Sequence, residues 1–352
     1  MTKKKICLAS DNWAPVHPLI IKAIVDANEG CAPPYGLDPW SEEATEVIQG
    51  VFKTKGQVYM VPTGTGANVL ALKLCCRRFD SIICTDAAHI NFQESGAAES
   101  IIGAKLLTIA HQRGKLTPEG VLQKLRREKS FGKHTTNPRV VSITQATEFG
   151  TVYSLDELRS LAQLCREEKL LLHMDGSRIY NAAVKLDAQL HEITDAANVD
   201  ILSLGGTKNG LMGTEALVLF NKILFEGSDN VHKQTLQLLS KTRYLSAQYI
   251  PFFTNKLWYN LAKHANEKAQ QVAALISTIP GLSLSYDVET NQIFFTAPKE
   301  WVAFMQESIN FYPWDIDTNE LRFITSWYSS DNDIKDLKTI LKDISNKLKI
   351  SK

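Results

Sequence analysis

The chain has 352 residues, of which 44% are hydrophobic and 22% are charged, and its formal net charge is +1. This length suggests about two domains with a large core. The near-neutral charge gives no electrostatic reason to expect a nucleic-acid or anionic-membrane partner. The basic opening MTKKKI is not followed by the apolar run of a secretory signal, and no run approaches the roughly 18 apolar residues of a membrane span.

The six cysteines include an adjacent pair but show no CxxC spacing. This pattern is typical of reduced packing residues, so we expect a cytoplasmic protein without a metal site.

The first forty residues are irregular and rich in Pro, Gly, Asn and Asp, with one helix predicted over Pro18–Asn28. The extended loop CAPPYGLDPW then precedes a helix predicted from Glu42 to Phe52, with Ser41 as its N-cap.

The next motif consists of a strand, a small polar loop and a helix. QVYMV (Gln57–Val61) predicts the strand, PTGTGAN (Pro62–Asn68) the loop and VLALKLCCRR (Val69–Arg78) the helix. Free N–H groups and the helix dipole favour an anion at such a helix start, and glycines allow its close approach. Phosphate binding and routine capping therefore remain alternative interpretations. The motif is not a P-loop, because no Gly-Lys-Ser/Thr follows the glycines.

Six further apolar runs predict strands that alternate with helices, which favours a mostly parallel sheet. One intervening helix is predicted over Thr117–Lys129 with Thr117 as its N-cap, and another over Ser154–Glu168 with Glu157 completing a capping box. The six strands are Ser81–Thr85, Lys105–Ile109, Arg139–Thr144, Leu170–Met174, Val199–Leu204 and Glu215–Phe220.

Polar residues follow several of these strands directly. His89 and Glu148 lie just beyond two strand ends, Asp175 and Arg178 beyond a third, and Lys208 beyond a fourth. Ligands of open α/β sheets bind at the carboxyl ends of the strands. A carboxylate, an arginine and a lysine suit a cofactor with a protonated ring nitrogen and an aldehyde, together with an anionic amino acid. Pyridoxal phosphate (PLP) meets these requirements, although each residue alone is more typical of a turn or of the surface.

The C-terminal part changes in character. Two helical stretches are predicted over Lys222–Leu239 and Leu245–Ser277. Alternating strands then lie between Leu282 and Trp327 around a helix at Lys299–Ser308, and a basic helix covers Asp331–Lys349. The predicted domains are residues 1–250, with an N-terminal arm over residues 1–40, and a smaller α+β domain over residues 251–352.

An ordered series of motifs points to a known family: ASD (9–11), YGLDP (35–39), PTGTGAN (62–68), AAHINFQESGAA (87–98), HMDGSRIYNA (173–182) and GGTKNG (205–210). The series resembles the threonine aldolase and aromatic-amino-acid β-eliminating lyase family over nearly the whole chain. These are PLP enzymes of the aspartate-aminotransferase-like fold (fold type I). The resemblance therefore implies a large domain with a mostly parallel seven-stranded sheet and a smaller C-terminal α+β domain.

The resemblance also implies roles for individual residues. Lys208 would carry PLP as a Schiff base beside Thr207, Asp175 would pair with the ring nitrogen, and His89 would stack on the ring. Gly64 and Thr65 would bind the phosphate, and Arg178 would contact both the cofactor and the substrate carboxylate. Ser10 and Arg322 would also bind the substrate carboxylate. The site would be shared between subunits of a homodimer or homotetramer, with Lys241 or Arg243 reaching the neighbour's phosphate.

The implied reaction cleaves L-threonine, L-allo-threonine and related β-hydroxy amino acids to glycine and an aldehyde. In place of a second histidine that the family often has, this chain carries Glu148. We hypothesise that Glu148, or a water it holds, is the general base, with His89 as the competitor. The alternatives are β-elimination or racemisation on the same fold and, in a different class, a non-catalytic PLP-fold subunit.

Overall fold

A computed structural model describes residues 5–348 of the chain. The large unit is Val16–Trp258, and the small unit combines the described residues up to Pro15 with those from Tyr259 onward. The predicted domains instead met at residue 250 and included the first fifteen residues in the large one. The N-terminal segment joins the small unit because its Ile6–Cys7 strand pairs in parallel with Ile309–Asn310.

Residues 5–348 form thirteen strands and thirteen α-helices. The strands are β1 (Ile6–Cys7), β2 (Gln57–Val61), β3 (Asp80–Thr85), β4 (Lys105–Ile109), β5 (Asn137–Thr144), β6 (Leu171–Gly176), β7 (Ile201–Leu204), β8 (Glu215–Leu219), β9 (Ser283–Leu284), β10 (Gln292–Thr296), β11 (Ile309–Asn310), β12 (Tyr312–Asp315) and β13 (Glu320–Ile324). The helices are α1 (Pro18–Asp26), α2 (Pro39–Phe52), α3 (Gly64–Cys75), α4 (His89–Phe92), α5 (Pro118–Ser130), α6 (Leu155–Glu167), α7 (Ile179–Leu186), α8 (Ser228–Gln234), α9 (Arg243–Ser246), α10 (Tyr249–Phe253), α11 (Leu257–Ile276), α12 (Lys299–Ser308) and α13 (Asp331–Lys347).

The large unit contains a seven-stranded sheet in the order β2-β8-β7-β6-β5-β3-β4. Strand β8 pairs antiparallel with both β2 and β7, and the other neighbouring pairs are parallel. Every residue of β3, β6, β7 and β8 is buried, as expected for strands covered on both faces. The predicted fold class is confirmed.

The helix starts follow local capping. Thr117 caps α5, and Ser154 forms the predicted capping box with Glu157. The prediction for α2 was wrong at its start: Asp38 is the N-cap, and its carboxylate accepts a hydrogen bond from the N–H of Ser41. Helix α3 begins at Gly64 instead of Val69, because the Thr63 hydroxyl caps it. The glycines of the predicted loop therefore form the first helical turn.

The two long helices predicted over residues 222–277 are divided into shorter ones. Helix α8 is preceded by Gly227 at φ 73°, and Leu236 at φ 63° and Lys256 at φ 56° lie between the later helices. A residue with positive φ cannot continue a right-handed helix. Long runs of helix-forming residues do not reveal such interruptions.

The small unit is built on a four-stranded antiparallel sheet in the order β12-β13-β10-β9, with β1 and β11 forming a separate parallel pair. Aromatic side chains of the sheet, including Phe295 and Phe323, pack edge to face in its core. The predicted C-terminal strands and the helix at Lys299–Ser308 are confirmed. Within residues 5–348, no helix has the length and apolar character needed to cross a membrane.

Candidate active site

A cleft lies in the large unit where β6 and β7 end and α3 begins. The structure brings five of the predicted residues together along this cleft: Gly64, Thr65, His89, Asp175 and Lys208. They come from four places in one sheet: the connections that follow β2, β3 and β7, and the end of β6. These five predicted residues therefore lie together at the strand ends within a single unit.

Asp175 is a buried carboxylate at the end of β6, with 5% of its surface exposed. It accepts hydrogen bonds from Asn68 Nδ2 (2.9 Å) and from the Ser177 N–H (3.0 Å). Burial alone would raise the pKa of Asp175. The charges of His89 and Lys208, with these two hydrogen bonds, outweigh burial and hold the pKa below its ordinary value of 3.8. Asp175 is therefore ionised at neutral pH.

His89 is connected to Asp175 through two residues that the sequence analysis did not identify. Its Nδ1 lies 2.7 Å from Glu94 Oε1. Asn68 Nδ2 donates to the same Glu94 oxygen at 2.9 Å and to Asp175 as well. One carboxylate oxygen of Glu94 is therefore in contact with both the His89 ring and the Asn68 amide. Asn68 and Glu94 thereby fix the ring of His89.

Both residues carry a weak sequence signal. Asn68 is a polar residue in the first turns of an otherwise apolar helix, and Glu94 follows His89 by five residues within one motif. Each is almost fully buried. Asn68 Oδ1 and Glu94 Oε2 have no hydrogen-bond partner among the described residues, so two buried oxygens of cleft residues are unsatisfied.

The start of α3 forms another wall of the cleft. The Thr63 hydroxyl accepts the Gly66 N–H at 3.0 Å, and the peptide groups of Gly64 and Thr65 precede it along the cleft. First-turn N–H groups have no partner within their own helix, and the helix dipole favours an anion beside them. A Cβ built on Gly64 would meet no atom within 4 Å. There is open space for a phosphate at this end.

Lys208 lies in a single 3-10 turn, Thr207–Asn209, between β7 and β8. The loop around it is held at several points. Tyr180 Oη donates to the Gly205 carbonyl at 2.7 Å, and Asn209 Nδ2 donates to the Trp258 carbonyl at 3.0 Å. The His17 N–H donates to the Gly210 carbonyl at 2.9 Å. The backbone that carries the lysine is therefore fixed on both sides.

Glu215, the first residue of β8, is a further cleft residue that the sequence analysis did not identify. Its Oε2 accepts the Gly206 N–H at 2.5 Å. Its only sequence signal is an acidic residue at the start of an otherwise apolar strand, EALVLF.

Glu148 lies beside His89 but contacts its main chain. Glu148 Oε1 accepts the His89 N–H at 2.9 Å and the Thr144 hydroxyl at 2.8 Å, while Oε2 is buried with no partner in the described part of the chain. Burial raises the pKa of Glu148 above its ordinary value, against the effect of these hydrogen bonds. The structure therefore gives Glu148 a role in positioning α4, and its role as a base stays a prediction.

A buried histidine supports the floor of the cleft. His173 lies on β6 between two hydroxyls, with Nδ1 2.8 Å from Ser142 Oγ and Nε2 3.0 Å from Ser203 Oγ. Burial lowers the pKa of His173 to about 4, although the charge of Asp175 opposes the shift. Ser203 itself lines the cleft. His173 is thus neutral at pH 7 and orients that hydroxyl.

The other predicted residues occupy several places. Thr207 precedes Lys208 in its turn, and Arg178 is the N-cap of α7, next to the cleft residue Ser177. Arg243 donates to the Gly30 carbonyl at 3.0 Å, and Lys241 is exposed.

Ser10 and Arg322 belong to the small unit. The Ser10 hydroxyl caps the turn Asp11–Trp13, and the Arg322 guanidinium lies 4.4 Å from the ring centroid of Trp314. Their roles toward a substrate stay predictions.

These residues fit PLP. An ionised buried carboxylate can pair with a protonated ring nitrogen, the start of α3 can hold a phosphate, and a lysine lies in the same cleft. The fold and the site together define an α/β protein of PLP fold type I. A family profile described as "Beta-eliminating lyase" matches residues 8–299. The chain belongs to this family, whose members typically use PLP and act on amino acids.

Similar proteins agree with this assignment. The chain is 38% identical to the low specificity L-threonine aldolase of a Pseudomonas species, over 96% of this chain and 97% of that protein. It is also 38% identical to the low specificity L-threonine aldolase of Pseudomonas aeruginosa, over 98% of each. The solved structure of Leishmania major threonine aldolase matches with a TM-score of 0.91 and 27% identity, covering 97% of this chain and 99% of that one.

Proposed function

We propose that the chain binds PLP and cleaves L-threonine, L-allo-threonine and related β-hydroxy-α-amino acids to glycine and an aldehyde. The observation that carries the proposal is the placement of Lys208, ionised Asp175 and the start of α3 around one cleft. The names of the relatives, low specificity L-threonine aldolases, support this substrate class.

PLP, when bound, supplies a ring that accepts electrons from a bond breaking at the substrate Cα. Asp175 would keep the ring nitrogen protonated, because its carboxylate is held ionised in a buried setting. Lys208 would anchor the cofactor covalently, and Gly64 and Thr65 would bind its phosphate. His89, whose Nδ1 is held by Glu94, would stack on the ring.

The position of the substrate carboxylate would determine which bond at Cα breaks. Arg178 and Arg322, with Ser10, would bind the substrate carboxylate and so orient Cα–Cβ for cleavage. A base then takes the proton of the β-hydroxyl while the aldehyde leaves. Glu148 and His89 are both candidates for the base. Glu148 offers an Oε2 atom without a partner among the described residues, whereas His89 has its second ring nitrogen, Nε2.

The second candidate function is β-elimination, which the description of the matching family favours. It begins with cleavage of Cα–H instead of Cα–Cβ and yields a keto acid and ammonia. Product identity separates the two reactions.

The test uses purified chain supplemented with PLP. We expect a visible absorbance band of lysine-bound cofactor, and glycine plus an aldehyde from L-threonine, L-allo-threonine and L-phenylserine. Lys208→Ala should lose the band and the activity, whereas Lys222→Ala, which changes an exposed lysine, should retain both. A wild-type chain that forms no band contradicts the proposal. Ammonia and a keto acid as the products would favour the lyase.

We further propose a homodimer or homotetramer in which Lys241 or Arg243 reaches the neighbour's phosphate. Light scattering gives the oligomeric state. Charge removal at the contributing residue should weaken PLP retention without altering the monomer's fold. Unchanged retention in both single variants contradicts sharing through these residues.

A further inference from the structure

Glu215 is a carboxylate in the cleft that the mechanism above does not use. Strand β8 is antiparallel to both of its neighbours, and Ala216 pairs with Leu204, the last residue of β7. The start of β8 therefore lies beside the carboxyl ends of the parallel strands. Glu215 reaches the cleft for this reason and is only 8% exposed.

The carboxylate of Glu215 is bound to the turn that carries Lys208. Its Oε2 accepts the Gly206 N–H at 2.5 Å, and the Thr207 hydroxyl also hydrogen-bonds to this carboxylate. Lys208 follows directly and lines the same cleft. The positive charge of Lys208 acts to lower the pKa of both carboxyls, Glu215 and Asp175, against the effect of burial. The lysine therefore interacts with two buried carboxylates.

The two carboxylates differ in how readily they accept a proton. Asp175 is held ionised, as described above. For Glu215, burial dominates and raises the pKa to about 7, although the Thr207 hydroxyl, Lys208 and the Gly206 N–H oppose the shift. When two carboxyls with different pKa values lie beside one reacting group, the one with the low pKa typically stays charged and the one with the high pKa transfers the proton.

Two buried phenols near Glu215 stay neutral. The charge of Glu215 contributes to raising the pKa of Tyr180 and Tyr249, whose pKa values burial already places well above 10. Neither phenol takes part in proton exchange near neutral pH. Lys208 is the titratable residue that directly follows the turn held by Glu215, and it lines the same cleft.

We propose that Glu215 is the proton partner of Lys208 when the lysine condenses with a carbonyl. An N–H bond of the ε-ammonium breaks, its electron pair stays on nitrogen as the nucleophile, and the proton forms an O–H bond on Glu215. The amine adds to the carbonyl carbon, the π electrons of the C=O bond move to oxygen, and this oxygen takes a proton from the attacking nitrogen to become a hydroxyl. Glu215 then returns its proton to the hydroxyl, the C–O bond breaks as water leaves, and the nitrogen lone pair forms the C=N bond. The carboxylate is regenerated and the nitrogen carries the positive charge. This inference rests on the proposed function.

The experiment measures how fast PLP is taken up by the chain stripped of cofactor, from the growth of the visible band between pH 5.5 and 9. Glu215→Gln keeps an oxygen that can accept the Gly206 N–H but removes the proton acceptor. We expect uptake about 100-fold slower than wild type above pH 7, within the range of positioned proton transfer. The ratio of the wild-type uptake rate to the Glu215→Gln uptake rate should fall toward one at low pH, where Glu215 is already protonated in the wild type. Taking the ratio cancels the titrations of PLP itself.

Two further variants separate proton transfer from structural support. Glu215→Asp keeps a carboxylate, so its uptake should remain closer to wild type than that of Glu215→Gln and retain the dependence on pH. Glu226→Gln changes an exposed glutamate and should leave uptake unchanged. Equal uptake by Glu215→Gln and wild type at every pH, even with a lowered melting temperature, would overturn the inference and leave Glu215 as a structural support.

The outcomes remain separable from the proposed function. A wild-type chain that forms no visible band refutes PLP binding itself, whereas a normal wild type with an unaffected Glu215→Gln refutes this inference alone. If Glu215→Gln does not fold, ¹³C-carboxyl NMR of the wild type decides. One glutamate must titrate near pH 7 and its signal must be lost in Glu215→Asp. Absence of such a glutamate overturns the inference.

Discussion

Asn68→Ala removes one side-chain nitrogen that serves two buried carboxylates. Asn68 Nδ2 donates to Glu94 Oε1 and to Asp175 Oδ2, each at 2.9 Å. We expect the substitution to lower the free energy of unfolding of the cofactor-free chain, because two buried carboxylates each lose a hydrogen-bond donor. Asn68 Oδ1 has no partner among the described residues, so the loss comes from Nδ2.

The expected magnitude follows from the two hydrogen bonds. A hydrogen bond to a charged group contributes about 1.5–3 kcal/mol, so the lower bound for the pair is about 3 kcal/mol. The pKa of Asp175 lies below 3.8 in the folded chain. Its contribution is therefore present above that pH and is lost as the pH falls through the folded-state pKa. The difference between variant and wild type should shrink correspondingly in acid.

The assay is urea unfolding at pH 7, followed by far-UV circular dichroism. With a slope of about 3 kcal/mol per molar urea, the midpoint should fall by about 1 M. Asn91→Ala is the matched control, because Asn91 is exposed and its Nδ2 donates to the neutral carbonyl of Asp86. Its cost should be about 1 kcal/mol or less. If Asn68→Ala is no more destabilised than Asn91→Ala, the bridge does not stabilise the fold.

Two further predictions concern His173 and Glu148. Because the folded-state pKa of His173 is lowered from 6.5 to about 4, its contribution of about 3 kcal/mol is present above pH 6.5 and lost as the pH falls through this range. His173→Gln should flatten the unfolding free energy between pH 6.5 and 4, and an unchanged slope would show that His173 is not responsible. Glu148→Gln should lower turnover of L-threonine about 100-fold with little change in its binding if Glu148 is the base. Unchanged turnover would assign that role elsewhere.

Strands of the large sheet were predictable because each is an apolar run that ends in glycine or polar residues. The run Leu170–Met174 and the polar residues after it indicated both a buried strand and Asp175 at its end. The two-residue strand Ile6–Cys7 was missed, since its partner lies about three hundred residues away. A local pattern contains no information about such a pairing.

The site was predictable where its residues follow strand ends, as Asp175 and Lys208 do. Asn68, Glu94 and Glu215 were missed because they come from the first turns of a helix, a loop and the start of a strand. The sequence around each of them does not distinguish it from a polar residue on the protein surface. Only the three-dimensional packing brings them beside the residues whose charges they hold.

The loop between residues 204 and 215 is closed at its base by the pairing of Leu204 with Ala216. If Lys208 holds PLP as proposed, a lysine that a substrate amine displaced would stay near the cofactor, because the loop is anchored at both ends. Its local concentration would be at least about millimolar, so its return would be intramolecular. The amines of the surrounding solution would then compete poorly with the lysine.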